Sequence, residues 1–133
     1  MARVVTFTAD LLFGSRVQGS LAAAGEDVAL VSDRESLRAA IEEAGGRAPE
    51  VLVVDLTDTA LQGAEEVRAL HDAGALSRTR TLGFYSHVEA ETRERAQRAG
   101  FDLVVPRSRM AREGAALVAS LASAGPAAEP GKG

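Results

Sequence analysis

Hydrophobic and polar positions divide the chain into short apolar runs separated by longer segments of helical period. The short runs are rich in Val, Leu and Thr and are bounded by polar or turn-forming residues, which is typical of β-strands. They predict five strands: Arg3–Thr8, Asp27–Val31, Val51–Val54, Thr81–Tyr85 and Asp102–Val105.

Five segments with apolar residues at helical spacing follow these strands. Each one stops just before a glycine, the residue that most readily adopts the left-handed backbone found at helix ends. The predicted helices are Leu11–Ala24, Glu35–Ala44, Thr59–Ala73, Glu89–Ala99 and Ser108–Ala124, and the glycines that follow them are Gly25, Gly45, Gly74, Gly100 and Gly125.

The inner strands are almost wholly apolar instead of alternating, so helices should cover both faces of the sheet. We therefore predict an α/β fold: a doubly wound, five-stranded parallel sheet of (βα)5 type. In such a sheet the ligand crevice lies at the carboxyl ends of the strands. Residues 1–124 form this one domain, and the Pro/Gly/Ala-rich tail, residues 125–133, is predicted to be disordered.

Composition narrows the class of protein. With 133 residues, 46% apolar and 26% charged, the chain has the composition of one ordinary globular domain. Its net charge of −4 disfavours nucleic acid and anionic membrane surfaces as partners. There is no cysteine, no secretory signal and no apolar run near the ~18 residues that a membrane span requires, so a cytoplasmic protein is predicted.

Motifs of enzyme chemistry are missing from the sequence. The two glycines of GSRVQGSL lie inside a helical pattern and lack the Lys-Ser/Thr of a phosphate-binding loop. His71 and His87 are the only histidines and lie on different segments, so a zinc site is not expected. No hydrolase elbow of the G-x-S-x-G type occurs. We therefore predict a protein that is not an enzyme and has no cofactor.

Polar residues follow the predicted strands at the expected crevice. They include Asp10 after the first strand, Asp55 after the third, Ser86 after the fourth and Arg107 after the fifth. Together with the stretches VLVVD, AQRAGFDLVVPRS and LAAAGEDV, they give the chain a pattern that resembles the receiver domains of bacterial two-component response regulators. The resemblance covers residues 3–124 and implies the flavodoxin-like receiver fold.

The resemblance also implies roles for individual residues. Asp55, at the end of VLVVD, matches the aspartate that accepts the phosphoryl group. Arg107 matches the family's lysine, and either Ser86 or Tyr85 matches its switch hydroxyl. Val104 stands where the family has its switch aromatic residue, so no side chain is available for the aromatic flip.

The family's magnesium site is depleted in this sequence. Thr8 and Ala9 match the family's pair of acidic residues, and Asp10 lies one residue further along. Because Mg²⁺ prefers carboxylate oxygens, only Asp10 and Asp55 remain as weak candidates for metal ligands. Mg²⁺ is thus expected only if Asp55 is phosphorylated.

The local sequence also gives these charged residues structural roles. An acid before a helix favours its amino end, so Asp10 is expected to cap the first helix and Asp58 the third. Arg107 can fork onto a carboxylate, and we expect it to form a fixed ion pair with Asp55.

Three functions fit the pattern. The first is a stand-alone pseudo-receiver, a protein-interaction module for signalling that does not use aspartyl phosphate and is expected to have no output domain. The second is a single-domain response regulator that accepts a phosphoryl group on Asp55 from a histidine kinase. The third, a small-ligand-binding flavodoxin-like protein, is disfavoured because no Gly-rich or Ser/Thr-rich phosphate loop follows the first strand.

A protein is the expected partner in the first two cases: a histidine kinase, another regulator or a second copy in a homodimer. In receivers, partners commonly dock on the surface made by the fourth helix, fifth strand and fifth helix. Arg109, Arg112 and Glu113 extend this charged face and make it a candidate interaction surface.

Overall fold

The computed structural model describes residues 3–42, 48–86 and 90–123, with only the backbone described at residues 59 and 90–93. Its centre is one sheet of five parallel strands in the order β2-β1-β3-β4-β5. This order confirms the predicted doubly wound parallel sheet. The strands are β1 (Arg3–Phe7), β2 (Asp27–Val31), β3 (Val51–Asp55), β4 (Arg80–Tyr85) and β5 (Leu103–Pro106).

Helices cover both faces of this sheet. α1 and α5 pack on one face, α2 and α3 pack on the other, and α4 contacts α3 and β5. Among the described residues, no helix is both long and apolar enough to cross a bilayer. The helices are α1 (Leu11–Ala23), α2 (Arg34–Glu42), α3 (Gly63–Asp72), α4 (Ala90–Ala99) and α5 (Arg107–Ser123).

The apolar core has two layers because alternate residues of each inner strand face opposite sides. On β3, Val51 and Val53 belong to the layer beneath α1 and α5, whereas Leu52 and Val54 belong to the layer beneath α2 and α3. All four are fully buried. This explains the continuous apolar run of β3, since both of its faces are removed from water.

Three predicted helix ends are confirmed. Gly25, Gly74 and Gly100 follow the ends of α1, α3 and α4, with φ angles of 95°, 77° and 95° in the left-handed region. Residues with a Cβ rarely adopt this backbone, so glycine is suited to these positions. The predicted ends at Gly45 and Gly125, the tail of residues 125–133 and His87 lie outside the described residues.

The predicted helix Thr59–Ala73 is wrong in its first turn. A short 3-10 helix, Thr59–Leu61, is followed by Gln62 in the left-handed region (φ 52°), and only then does α3 begin. The break lets Leu61 enter the core and brings the backbone of Gly63 against Val54. Asp58 accepts a hydrogen bond from the Ala60 backbone N–H at 2.9 Å, so it caps the 3-10 helix and not α3.

The close approach of Gly63 to β3 gives a test of this packing. A Cβ on Gly63 would lie 2.7 Å from Val54 Cγ1 and 3.2 Å from the Asp55 carbonyl oxygen. Because a β-branched side chain and a strand backbone cannot move aside freely, Gly63→Ala should lower the free energy of unfolding by about 1–3 kcal/mol. Urea denaturation followed by circular dichroism measures the change.

The matched control is Gly19→Ala in α1. A Cβ there would meet nothing within 4 Å, so relief of the helix-interior glycine should raise the free energy of unfolding by up to about 1 kcal/mol. Equal effects of the two substitutions would contradict the packing of Gly63 against β3.

Candidate functional site

Asp55 is the last residue of β3 and is only 1% exposed. Its Oδ1 accepts hydrogen bonds from the backbone N–H of Thr57 at 2.8 Å and from the Thr57 hydroxyl at 2.5 Å. Its Oδ2 accepts a hydrogen bond from the Thr8 hydroxyl, also at 2.5 Å. Both oxygens of this buried carboxylate therefore accept hydrogen bonds from within the protein.

Thr8 links Asp55 to the neighbouring strand. It directly follows β1, is fully buried, and its backbone N–H donates to the Val31 carbonyl at 3.0 Å. The Thr8 hydroxyl accepts a hydrogen bond from the Asp10 backbone N–H at 3.0 Å while it donates to Asp55. Because a hydroxyl has one proton to donate, the Thr8 hydroxyl is the donor to Asp55 and the acceptor from the Asp10 N–H.

Asp10 caps α1, as predicted. Its Oδ1 accepts from the Phe13 backbone N–H at 3.0 Å, which is the usual N-cap arrangement. Its Oδ2 accepts from Arg107 Nη2 at 2.9 Å. The Phe13 N–H, together with the Arg107 guanidinium, holds the pKa of Asp10 below its ordinary value of 3.8.

Arg107 is the first residue of α5 and follows β5 directly, one residue earlier than the predicted start of this helix. Its guanidinium carbon lies 4.2 Å from the centre of the Phe13 ring, which is a cation–π contact. Phe13 in turn packs against Phe84, with ring centres 5.1 Å apart. The β1–α1 corner and the β5–α5 corner are thereby joined through one arginine.

The predicted ion pair between Asp55 and Arg107 is wrong. Arg107 pairs with Asp10, and threonine donors satisfy Asp55. The side chains of Arg107 and Asp10 are 36% and 38% exposed, whereas Asp55 is 1% exposed. Arg107 keeps much of its hydration beside Asp10, and it would lose that hydration on entering the Asp55 pocket.

The two candidates for the switch hydroxyl differ in burial. Tyr85 is the last residue of β4, is buried and lies opposite Pro106 in the sheet register. Ser86 follows the strand and is exposed, and no hydrogen bond joins it to Asp55 within the described ranges. The structure therefore brings Thr8, Asp10 and Arg107 into one connected cluster around Asp55 and leaves Ser86 outside its hydrogen bonds.

Comparison with solved structures shows which proteins share this backbone. The receiver domain of a Francisella response regulator gives a TM-score of 0.77 at 14% identity, covering 92% of this chain and 98% of that one. A signal receiver domain from Mycobacterium tuberculosis gives 0.74 at 22% identity, covering 92% and 96%. The phosphorylated cyanobacterial phytochrome response regulator RcpA gives 0.74 at 14% identity, covering 92% of each chain. This protein has the receiver fold.

The similarity to other receiver folds lies in the backbone. No protein-family model and no curated protein matches the sequence. At 22% identity or less, the similar structures establish the receiver fold and leave the chemistry of the pocket to be judged from its own residues.

The cluster around Asp55 does not fit the Mg²⁺ ion that the receiver resemblance implies. Mg²⁺ demands near-octahedral oxygen coordination, with one or two carboxylates as its protein ligands. Thr8 stands where the resemblance places one of the acidic residues, and the carboxylates of Asp10 and Asp55 already accept hydrogen bonds at every oxygen. Within residues 3–42, 48–86 and 90–123, no group of three or more acidic or histidine side chains is placed to hold a metal ion.

Sequence reasoning missed the two threonines that bind Asp55. Thr57 lies two residues after Asp55 in an Asp-x-Thr turn, a pattern in which the carboxylate commonly accepts from the backbone N–H two residues on. That signal was present in the sequence. The Thr8 hydroxyl had no such local signal, because it is 47 residues from Asp55 and meets it only through the pairing of β1 with β3.

Removal of the Thr8 hydroxyl tests the hydrogen bonds of Asp55. Thr8→Val keeps the shape of the side chain but leaves a buried carboxylate oxygen without a donor, so the free energy of unfolding should fall by about 1–3 kcal/mol. Thr8→Ser keeps the hydroxyl and should lose less, since it removes only one methyl group. Urea denaturation compares the two, and equal losses would show that the hydroxyl contributes nothing.

Acid titration tests the Asp10 network. Because the pKa of Asp10 is lowered in the folded state, its charge stabilises the protein above the unfolded pKa, and this contribution is lost as the pH falls through the lowered value. Asp10→Asn retains a capping side chain without the charge. Between about pH 5 and about pH 2, the variant should therefore lose less stability than the wild type.

Urea denaturation at each pH measures this difference. Asp33, whose pKa is lowered by hydrogen bonds from Ser36, should give the same trend in an Asp33→Asn control. Identical acid dependence of the wild type and Asp10→Asn would contradict the assignment of a lowered pKa to Asp10.

Proposed function

We propose that this protein is a receiver-fold interaction module for signalling, which binds a partner protein and does not use phosphorylation of Asp55. The observation that carries the proposal is the state of the Asp55 carboxylate. It is almost fully buried, and Thr8 and Thr57 occupy both of its oxygens.

Phosphoryl transfer makes demands that this carboxylate does not meet. The attacking oxygen must approach phosphorus in line, and cations must neutralise the charge on the transferred group. Asp55 has no free, accessible oxygen, and the nearby Asp10 is bound to Arg107 and to the α1 backbone. The charge that Mg²⁺ would balance in a phosphorylated receiver is balanced here by hydroxyl and backbone donors.

Asp55 is then a structural residue in this proposal. It ties the end of β3 to the residue after β1 and to the turn that leads into α3. A domain held in this way presents one arrangement of its surface, so its output is the affinity of that surface for a partner. No enzymatic step is required for such a role.

Chemical phosphorylation tests the proposal directly. Incubation with Mg²⁺ and acetyl phosphate, or with beryllofluoride, should leave the intact mass and the amide NMR spectrum of the protein unchanged. A phosphorylatable receiver treated in parallel serves as the positive control. Asp55→Asn serves as the negative control, because any modification of Asp55 would disappear in this variant.

The rival function, a single-domain response regulator that accepts a phosphoryl group on Asp55, predicts the opposite result. A phosphoryl mass shift that is present in the wild type and absent in Asp55→Asn would establish it. RcpA, which shares the backbone, is a phosphorylated protein, so the fold itself is compatible with this chemistry and the pocket residues decide the outcome.

A further inference from the structure

A shallow groove runs between α3 and α4, away from the Asp55 cluster. We call one part of it the arginine groove, which is lined by Ala64, Glu65, Arg68, Arg95, Arg98 and Ala99. Ala64 and Ala99 are almost fully buried and form its floor, so the helix backbones lie close to its surface. Beyond Glu65, the depression between the helices extends to Asp58 at the carboxyl edge of the sheet.

The charge of the arginine groove is opposite to that of the whole chain. Three arginines and one glutamate line it, whereas the chain carries a net charge of −4. Arg68, Arg95 and Arg98 are all exposed. An anionic group would therefore meet a local positive field on an otherwise acidic protein.

Ion pairs among the side chains that the structure describes leave this positive charge largely uncompensated. Arg68 has no ion pair with any side chain that the structure describes, although Glu65 and Asp72 lie three and four residues away on the same helix. Arg98 reaches Glu94 only at 3.7 Å, with both side chains more than 60% exposed. Such a surface pair contributes little and exchanges readily for another anion.

The charged face on α5 differs in this respect. Arg109 Nε lies 3.2 Å from Glu113 Oε1, closer than Arg98 lies to Glu94, whereas Arg112 Nη2 reaches Glu113 Oε2 only at 3.7 Å. Arg38 on α2 is likewise bound by Glu66, with atoms 2.6 Å and 3.2 Å apart. Among these arginines, and counting only described side chains as partners, Arg68 and Arg98 of the arginine groove are the least compensated, together with Arg112.

We propose that the arginine groove binds an acidic segment of a partner protein. Carboxylates on that segment pair with Arg68, Arg95 and Arg98, and its backbone lies over Ala64 and Ala99. The acidic side chains of Glu65 and Asp58 limit the length of the positive region. A short cluster of carboxylates fits a region of this length, whereas a long polyphosphate backbone would be repelled by the two acidic side chains. This inference rests on the proposed function and gives that binding module a surface and a class of ligand.

A synthetic hexaglutamate peptide, blocked at both ends, is the probe, and a hexaglutamine peptide of the same length is its neutral control. With the full chain labelled by ¹⁵N, hexaglutamate should shift amide signals of α3 and α4, and hexaglutamine should not. Arg68→Glu combined with Arg98→Glu should weaken binding by about tenfold or more, since both cations become anions. Both side chains are exposed, so circular dichroism should show an intact fold.

Arg109→Glu combined with Arg112→Glu on α5 is the matched control, with the same change in net charge, and it should weaken binding by less than about threefold. Equal weakening by the two double variants, or shifts centred on α5, would overturn the proposed groove. Tighter binding of a single-stranded DNA oligonucleotide than of hexaglutamate would also overturn it, in favour of a nucleic-acid surface. If only the proposed groove is wrong, acetyl phosphate still leaves Asp55 unmodified. If the proposed function is wrong, acetyl phosphate produces a phosphoryl mass shift that depends on Asp55.

Discussion

The need to satisfy a buried carboxylate governs the carboxyl edge of this sheet. A carboxyl group that is 1% exposed is unfavourable unless hydrogen-bond donors replace its lost water. Thr8 from beyond β1 and Thr57 from the turn after β3 supply three hydrogen bonds to Asp55. Because Thr8 is 47 residues from Asp55, its hydrogen bond forms only when β1 and β3 are paired in the observed register. The same hydrogen bonds that support the fold occupy both oxygens of the carboxylate.

Most of the fold could be predicted because its signals are local. Strands buried on both faces give unbroken apolar runs, as in β3, and glycines such as Gly25 end helices through their own backbone preference. The break at Gln62 could not be predicted in this way. It arises where Gly63 meets Val54, a contact between residues that the sequence separates and the tertiary structure joins. The helical pattern of the sequence does not indicate such a tertiary contact.

The candidate site was predictable in position but not in pairing. The rule that crevice residues follow parallel strands directed attention to Asp10, Asp55 and Arg107, which the structure brings into one cluster. The rule does not predict how deeply each side chain is buried, and burial determined the partners. Asp55 is buried and accepts hydrogen bonds from hydroxyl and backbone donors. Arg107 stays partly exposed, over Phe13 and beside Asp10. The local pattern did locate Asp10 as the cap of α1, since capping depends on the neighbouring backbone alone.

The passage from β5 to α5 has no connecting loop, because Pro106 ends the strand and Arg107 begins the helix. Each added residue would turn α5 by about 100° about its axis. A single insertion would therefore swing Arg107 away from Phe13 and move Met110, which is buried under α1, toward solvent. The length of the chain at this junction therefore determines the contacts of α5 as much as the identity of the side chains around it does.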